Sequence, residues 1–161
     1  MQMLLDADEA GVRLEMVEGL PVWEAHPKLA HVKAARRIEA AIKPLPGSGQ
    51  ECGCIHYPDL YIRFPDGSFK RPDVSIFCSE PMEDEQEIVV TVPEAVVEIL
   101  SRGYERKDLE IGPPFYLSHG VKDIVVVDPY SDKVVHFGVG FKHDLKSPVE
   151  LKLQCGCVLA I

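Results

Sequence analysis

The chain has no long hydrophobic run: nothing in it approaches the apolar length needed to cross a bilayer. Its first residues, MQMLLDADEA, follow a short apolar start with acids rather than with a signal-peptide pattern, so a soluble, cytoplasmic protein is expected. Positive charge is scarce as well. Seventeen Lys and Arg face 26 Asp and Glu, for a formal net charge of -9. That excludes a protein that coats DNA through a broad basic surface, because such binding rests on cations neutralising phosphates. Local basic groups remain: Lys33, Arg36 and Arg37; Lys70 and Arg71; Arg102, Arg106 and Lys107. There is no glycine-rich phosphate loop, no Gly-x-Ser-x-Gly elbow and no dinucleotide fingerprint, which sets aside the nucleotide-binding and hydrolase chemistries those motifs carry. His26, His56, His119, His136 and His143 lack the His-x-x-x-His spacing of a helical zinc site and are expected in loops or at the surface. No internal repeat appears.

What is present suits a packed core. With 161 residues and 46% hydrophobic composition, one domain spanning residues 1–161 is expected. The five cysteines include two Cys-x-Cys pairs, Cys52/Cys54 and Cys155/Cys157, with Cys78 left over. An odd number without a secretion signal speaks against a disulfide framework. A structural zinc at Cys52, Cys54, Cys155 and Cys157 is the minor reading, since zinc ligands are usually separated by two to four residues and here by one. Small buried apolar side chains are the favoured one.

Val12 to Trp23 alternates around Glu18-Gly19 and predicts an entry hairpin. Val32, Ala35, Ile38 and Ile42 recur at helical spacing, so a helix runs from about His31 to Ile42, stopped by Pro44. Leu60, Ile62 and Phe64 alternate before the turn Pro65-Asp66-Gly67, and Phe69 to Phe77 is expected to return as a second strand. Glu94 to Leu100 is a third strand. Asp123 to Asp128 is a fourth, apolar enough for burial on both faces. A partly helical crossover, Tyr104 to Ser118, lies between these two and implies that they are parallel. Val134 to Phe137 and Val149 to Leu153 extend the sheet or cap an edge. The expected class is α/β with a mixed sheet.

Glu98 is the chemical anomaly. It stands mid-strand among Val96, Val97, Ile99 and Leu100, where an ionised acid must be paired, protonated or bound to a metal. Asp73 stands at the head of another apolar strand, directly after Pro72. A salt bridge for the first and a capping role for the second are the bland alternatives. Together, two acids on neighbouring strands can hold a hard divalent cation through oxygen ligands.

Arg71-Pro72-Asp73-Val74, Val97-Glu98-Ile99-Leu100-Ser101, Asp108, Tyr116, Gly120-Val121 and Val127-Asp128-Pro129 resemble, in order and spacing, the Uma-type restriction endonucleases of the PD-(D/E)XK nuclease superfamily. The likeness spans roughly Glu15 to Pro129, with Glu15 to Gly19 and then His31 resembling the family's opening. It implies a restriction-endonuclease-like core: a helix, a three-stranded meander, a crossover helix and a parallel fourth strand. It implies a metal-dependent endonuclease hydrolysing DNA phosphodiester bonds, with Mg2+ or Mn2+ on Asp73 and Glu98 and a catalytic lysine. The superfamily's lysine place after the acid holds Leu100. The Uma-type place, four residues beyond the aspartate matched by Asp108, holds Gly112, and Pro113-Pro114 should break or kink the crossover there. Lys107 is the nearest replacement and Lys70 the second. DNA is the expected partner and a homodimer the expected assembly, since cutting both strands suits two-fold symmetry. Two alternatives stand beside this: a catalytically impaired nuclease-fold binding or regulatory protein, and a zinc-stabilised interaction module.

Overall fold

The computed structural model describes residues 1–24 and 26–161. A short helix α1 (Gln2–Glu9), which no sequence pattern announces, precedes the hairpin β1 (Leu14–Val17) and β2 (Leu20–Trp23). The hairpin forms as expected, turning through Glu18 and Gly19. Helix α2 (Leu29–Ala41) follows, then β3 (Lys43–Pro44), β4 (Ile55–Pro58), β5 (Ile62–Arg63), β6 (Phe69–Lys70), β7 (Val74–Phe77) and β8 (Ala95–Ile99). A π-helix (Lys107–Ile111) runs into α3 (Gly112–Ser118), and the chain ends with β9 (Asp123–Val127), β10 (Lys133–Gly138), β11 (Phe141–Lys146), β12 (Glu150–Lys152) and β13 (Cys157–Ala160).

The central sheet has the order β11-β10-β9-β8-β7-β4, with β8 and β9 parallel and the other neighbours antiparallel. The class is mixed α/β with a mixed sheet, and the helix, meander, crossover and parallel strand follow one another as expected. The meander is drawn from different residues, however. The expected second strand, Phe69 to Phe77, divides at Arg71-Pro72-Asp73. Its first part pairs with β5 and β1 in a separate sheet of order β2-β1-β6-β5, and only its second part joins the central sheet. Pro72 has no N–H for a ladder, and the Arg71 N–H is given to Glu15 Oε1 at 2.8 Å. The first meander strand is therefore β4, which pairs with β7.

Strand period places the core on two faces. Val74, Ile76, Val97, Ile99 and Val125 pack beneath Ile38 of α2, together with Leu151 and Leu159 of the small sheet β12-β13-β3. Val96, Leu100, Ile124 and Val126 point the other way, against Phe64, Phe115 and Tyr116. Every residue of β9 is buried, as its apolar run predicts. Glu98 falls on the second face by the same alternation, which carries it toward α3.

The crossover does not break at Gly112. Pro113 and Pro114 occupy the first turn of α3, and the irregularity they impose on a continuous helix shows as the π-helical turn directly before them. The cysteines also depart from expectation, since Cys52–Cys78 and Cys54–Cys157 are disulfide-bonded and Cys155 is the free one. Sequence separation hid this: the 52–54 loop, the end of β7 and the β12–β13 turn meet at one place. His136, expected in a loop or at the surface, is buried on β10 with Nε2 2.8 Å from Asp123 Oδ1. Among the described residues no helix is long and apolar enough to cross a membrane.

Candidate active site

The β7–β8 register sets Val74 opposite Val97, so the next step outward brings Asp73 and Glu98 to facing positions. Asp73 is bound from two sides. The Ile99 N–H donates to Oδ2 at 2.7 Å, and Oδ1 lies 3.0 Å from His31 Nε2 in the first turn of α2. Glu98 is 3% exposed, and its Oε1 accepts the Tyr116 hydroxyl at 2.6 Å. The hydroxyl is a needed partner, because a buried carboxyl oxygen without one costs about 1–3 kcal/mol.

Both acids line a cleft with Arg13, Glu24, Pro27, His31, Tyr104, Lys107 and Asp108. Lys107 reaches it from the π-helix and is largely buried, with Nζ 2.6 Å from Glu24 Oε1, 3.4 Å from Glu15 Oε2 and 3.8 Å from Asp108 Oδ1. Lys70 is buried too, but it pairs with Glu15 and lies near the rings of Phe115 and Tyr116, and it is not among the residues that line the cleft. Gly112 has no side chain to offer, and a Cβ there would stand 3.2 Å from the Lys107 carbonyl oxygen. Arg71 is engaged elsewhere, pairing with Asp59 and Asp8.

Sequence reasoning did not single out Arg13 and Glu24. They sit at the open end of the hairpin, just beyond the Leu14–Trp23 pair, with the Glu24 N–H donating to the Arg13 carbonyl at 3.0 Å. A charged pair at a hairpin end carries no anomaly of period or burial, so no local signal marks it. Glu15, His31, Asp108 and Tyr116 entered only through the family resemblance, and all four gather here.

The charges do not balance. Glu15, Glu24, Asp73, Glu98 and Asp108 are five acids against the three permanent cations Arg13, Lys70 and Lys107. The surplus shows in the proton affinities. Burial pushes Glu98 well above the carboxylate range, and Asp73 and Asp108 add to the rise against the opposing pull of Lys107. Burial also lifts Asp108, to about 7, and raises Glu24, which the charge of Glu15 lifts further. Glu15 is the exception: burial would raise it, but Lys70 and Lys107 outweigh that and hold it low. Burial opposes a charge on His31, but the hydrogen bond to Asp73 prevails and raises it. Lys107 is raised by Glu15, Glu98 and Glu24 in spite of its burial and stays an ammonium.

Hard divalent cations take oxygen ligands, and carboxylate oxygens are what this cleft offers. Acids exceed permanent cations, Glu98 keeps one oxygen outside its bond to Tyr116, and Glu24 Oε2 is buried with no hydrogen-bond partner among the described residues.

A mixed sheet that brings acids from adjacent strands into a cleft beside a crossover helix has the layout of a nuclease fold. The chain belongs to the Uma2 family, described as "Putative restriction endonuclease", whose model matches residues 1–150. Among solved structures it is similar to a protein from Anabaena variabilis ATCC 29413, described as "a putative nuclease belonging to DUF820". The two share 17% identity at a TM-score of 0.65, over 86% of this chain and 80% of that one. A comparison with curated proteins finds no match.

Proposed function

We propose that the chain is a metal-dependent endonuclease that hydrolyses DNA phosphodiester bonds, with Mg2+ or Mn2+ held by Asp73 and Glu98. The observation that carries this reading is the shared cleft: two carboxylates from facing strand positions, a lysine leaning in from the crossover, and an excess of negative charge that only protons or a cation can satisfy. A bound cation would polarise the scissile phosphate and make a bound water more acidic. The side chains around it have separate tasks. His31 and the Ile99 N–H fix the rotamer of Asp73, and Tyr116 fixes that of Glu98. Lys107 remains protonated, so it serves as a hydrogen-bond donor to a phosphate oxygen or to the attacking water and not as a general base. Ionised Glu24 or Asp108 can accept the proton that water loses. A homodimer in the cytoplasm is part of the same proposal, because two cuts on antiparallel strands match a two-fold axis.

The test is cleavage of supercoiled and linear DNA with Mg2+ or Mn2+, with and without chelator. Metal-dependent nicking that disappears in Asp73→Ala and Glu98→Gln supports the proposal, whereas chelator-insensitive cleavage, or none with either metal, sinks it. One observation favours a second reading, a nuclease-fold protein that binds without cutting: Lys107 is already engaged by Glu24 and Glu15, and the family's lysine place holds Gly112. Stoichiometric Mn2+ binding without turnover would select it.

A further inference from the structure

Five sulfurs converge at the end of the sheet away from Asp73. They come from three segments: Cys52 and Cys54 before β4, Cys78 directly after β7, and Cys155 and Cys157 at the β12–β13 turn. The Sγ atoms of Cys52, Cys155 and Cys157 all lie within 4.8 Å of one another, and Cys52 and Cys157 are 3.6 Å apart. Cys54 and Cys78 are joined to this group by the two disulfides. The backbone is shaped for the approach. Gly156 has φ +90°, and a Cβ there would come within 2.9 Å of Gln50; a Cβ on Gly53 would stand 3.1 Å from the Cys78 carbonyl oxygen. The Gly53 N–H donates to that same oxygen at 2.9 Å.

Disulfides use sulfurs in pairs, and five do not pair completely. Cys155 is left as a buried thiol whose nearest chemistry is two other sulfurs. A tetrahedral zinc thiolate centre uses four sulfurs, with bonds near 2.3 Å that set them roughly 3.8 Å apart, and the Cys52–Cys157 separation already approaches that spacing. We propose that the reduced chain binds one thiophilic cation of the zinc class through Cys52, Cys54, Cys155 and Cys157, leaving Cys78 as a free thiol at the rim. Cys54 is the fourth ligand because it is 4% exposed and enclosed with the other three, whereas Cys78 is only partly buried.

The two states differ by four electrons. A dithiol reductant gives two electrons and two protons to each disulfide and becomes a disulfide itself. Zinc then displaces four protons from the four thiols as the thiolates bind it. Zinc-free oxidised protein and zinc-loaded reduced protein thus both tie the 52–54 segment to the β12–β13 turn, by different bonds, and only the oxidised form also ties it to Cys78 at the end of β7.

The experiment takes the full chain, reduces it with a dithiol, adds zinc alone, removes the excess, and measures zinc per chain by elemental analysis and intact mass. Cobalt(II) in place of zinc reports tetrahedral sulfur coordination through its visible and thiolate charge-transfer absorption. One zinc per chain is expected, with affinity at least about 100-fold weaker in Cys155→Ser and Cys54→Ser and unchanged in Cys78→Ser. Oxidised Cys155→Ser keeps both disulfides, so its circular dichroism shows whether the substitution leaves the fold intact. No zinc or cobalt uptake by the reduced chain overturns the site. So does full zinc retention in Cys155→Ser, or zinc that depends on Cys78 and not on Cys54. None of these readouts involves DNA cleavage.

Discussion

Strand β7 has Asp73 just before it and Cys78 just after it, and the two ends of these four residues lead to opposite kinds of chemistry. At the Asp73 end, side chains are gathered by register: the β7–β8 ladder sets the two acids and the crossover lays Lys107 beside them. At the Cys78 end, one sulfur follows β7 directly, and distant parts of the chain, the 52–54 loop, the β12–β13 turn and the first residue of β13, supply the other four. The first end holds five acids against three permanent cations, and burial raises the proton affinity of three of those acids. The second is neutral as thiols or disulfides and binds distant segments together. One strand therefore joins a region suited to binding to a region suited to holding.

The contrast breaks most sharply if the Asp73 end proves structural. Asp73→Ala and Glu98→Ala are each expected to lower metal-dependent DNA cleavage by about 10³-fold, the scale seen when groups that stabilise developing charge are removed, and to abolish Mg2+ and Mn2+ binding by calorimetry. Thermal stability should fall by no more than about 1–3 kcal/mol, the cost of leaving one buried donor, the Ile99 N–H or the Tyr116 hydroxyl, without its acceptor. A large loss of stability would make these acids part of the scaffold. The opposite outcome is expected at the other end. Cys157→Ser opens the Cys54–Cys157 link, which spans 103 residues, and should cost the oxidised protein roughly 2–4 kcal/mol by urea denaturation, with Mg2+ affinity unchanged in the molecules that remain folded.

Lys107 sharpens the comparison within the cleft. Lys107→Ala should reduce kcat by about 10²-fold and leave KM nearly as it was, while Lys107→Arg keeps the charge and restores part of the rate. Unchanged cleavage in Lys107→Ala would remove it from the site and favour the non-cutting reading.

These two ends were not equally legible in the sequence. Glu98 could be read from a physical anomaly alone, a carboxylate within Val96-Val97 and Ile99-Leu100, and the alternation that buries it also aims it at Tyr116. The α2 helix and the entry hairpin followed from period, because one buried face imposes it, and the parallel pair followed from the crossover that joins its two strands. The break at Pro72 was written in the residue types, yet reading Phe69 to Phe77 as one return strand after the Pro65-Asp66-Gly67 turn concealed it, and β4 was missed because His56-Tyr57-Pro58 carries too little apolar alternation. Glu24 is a matter of tertiary approach, visible only once the residue after β2 meets Lys107 of the π-helix. The cysteine pairing was illegible for a related reason. Spacing within Cys-x-Cys says nothing about which distant segment arrives, and the count of five pointed away from the disulfides that form.

The smallest effect tests whether surplus charge at the Asp73 end is a burden on the fold. Asp108 titrates near 7, well above its unfolded value of about 3.9, so the folded state binds this proton more tightly than the unfolded chain. Stability from this group is complete below about pH 4 and is lost as pH rises toward 7. Glu98, Glu24 and His31 are all raised and act in the same direction, whereas Glu15 is lowered and acts only at more acid pH. Without metal, Tm should therefore fall by a few degrees, on the order of 1–2 kcal/mol, between pH 5.5 and 8. Added Mg2+ or Mn2+ prefers the ionised carboxylates and should erase that slope, since a ligand of the folded state stabilises it by mass action. A Tm that rises over the same range without metal, or a slope that metal leaves unchanged, would show that the acids are satisfied by their own neighbours and that the cleft has no need of a cation.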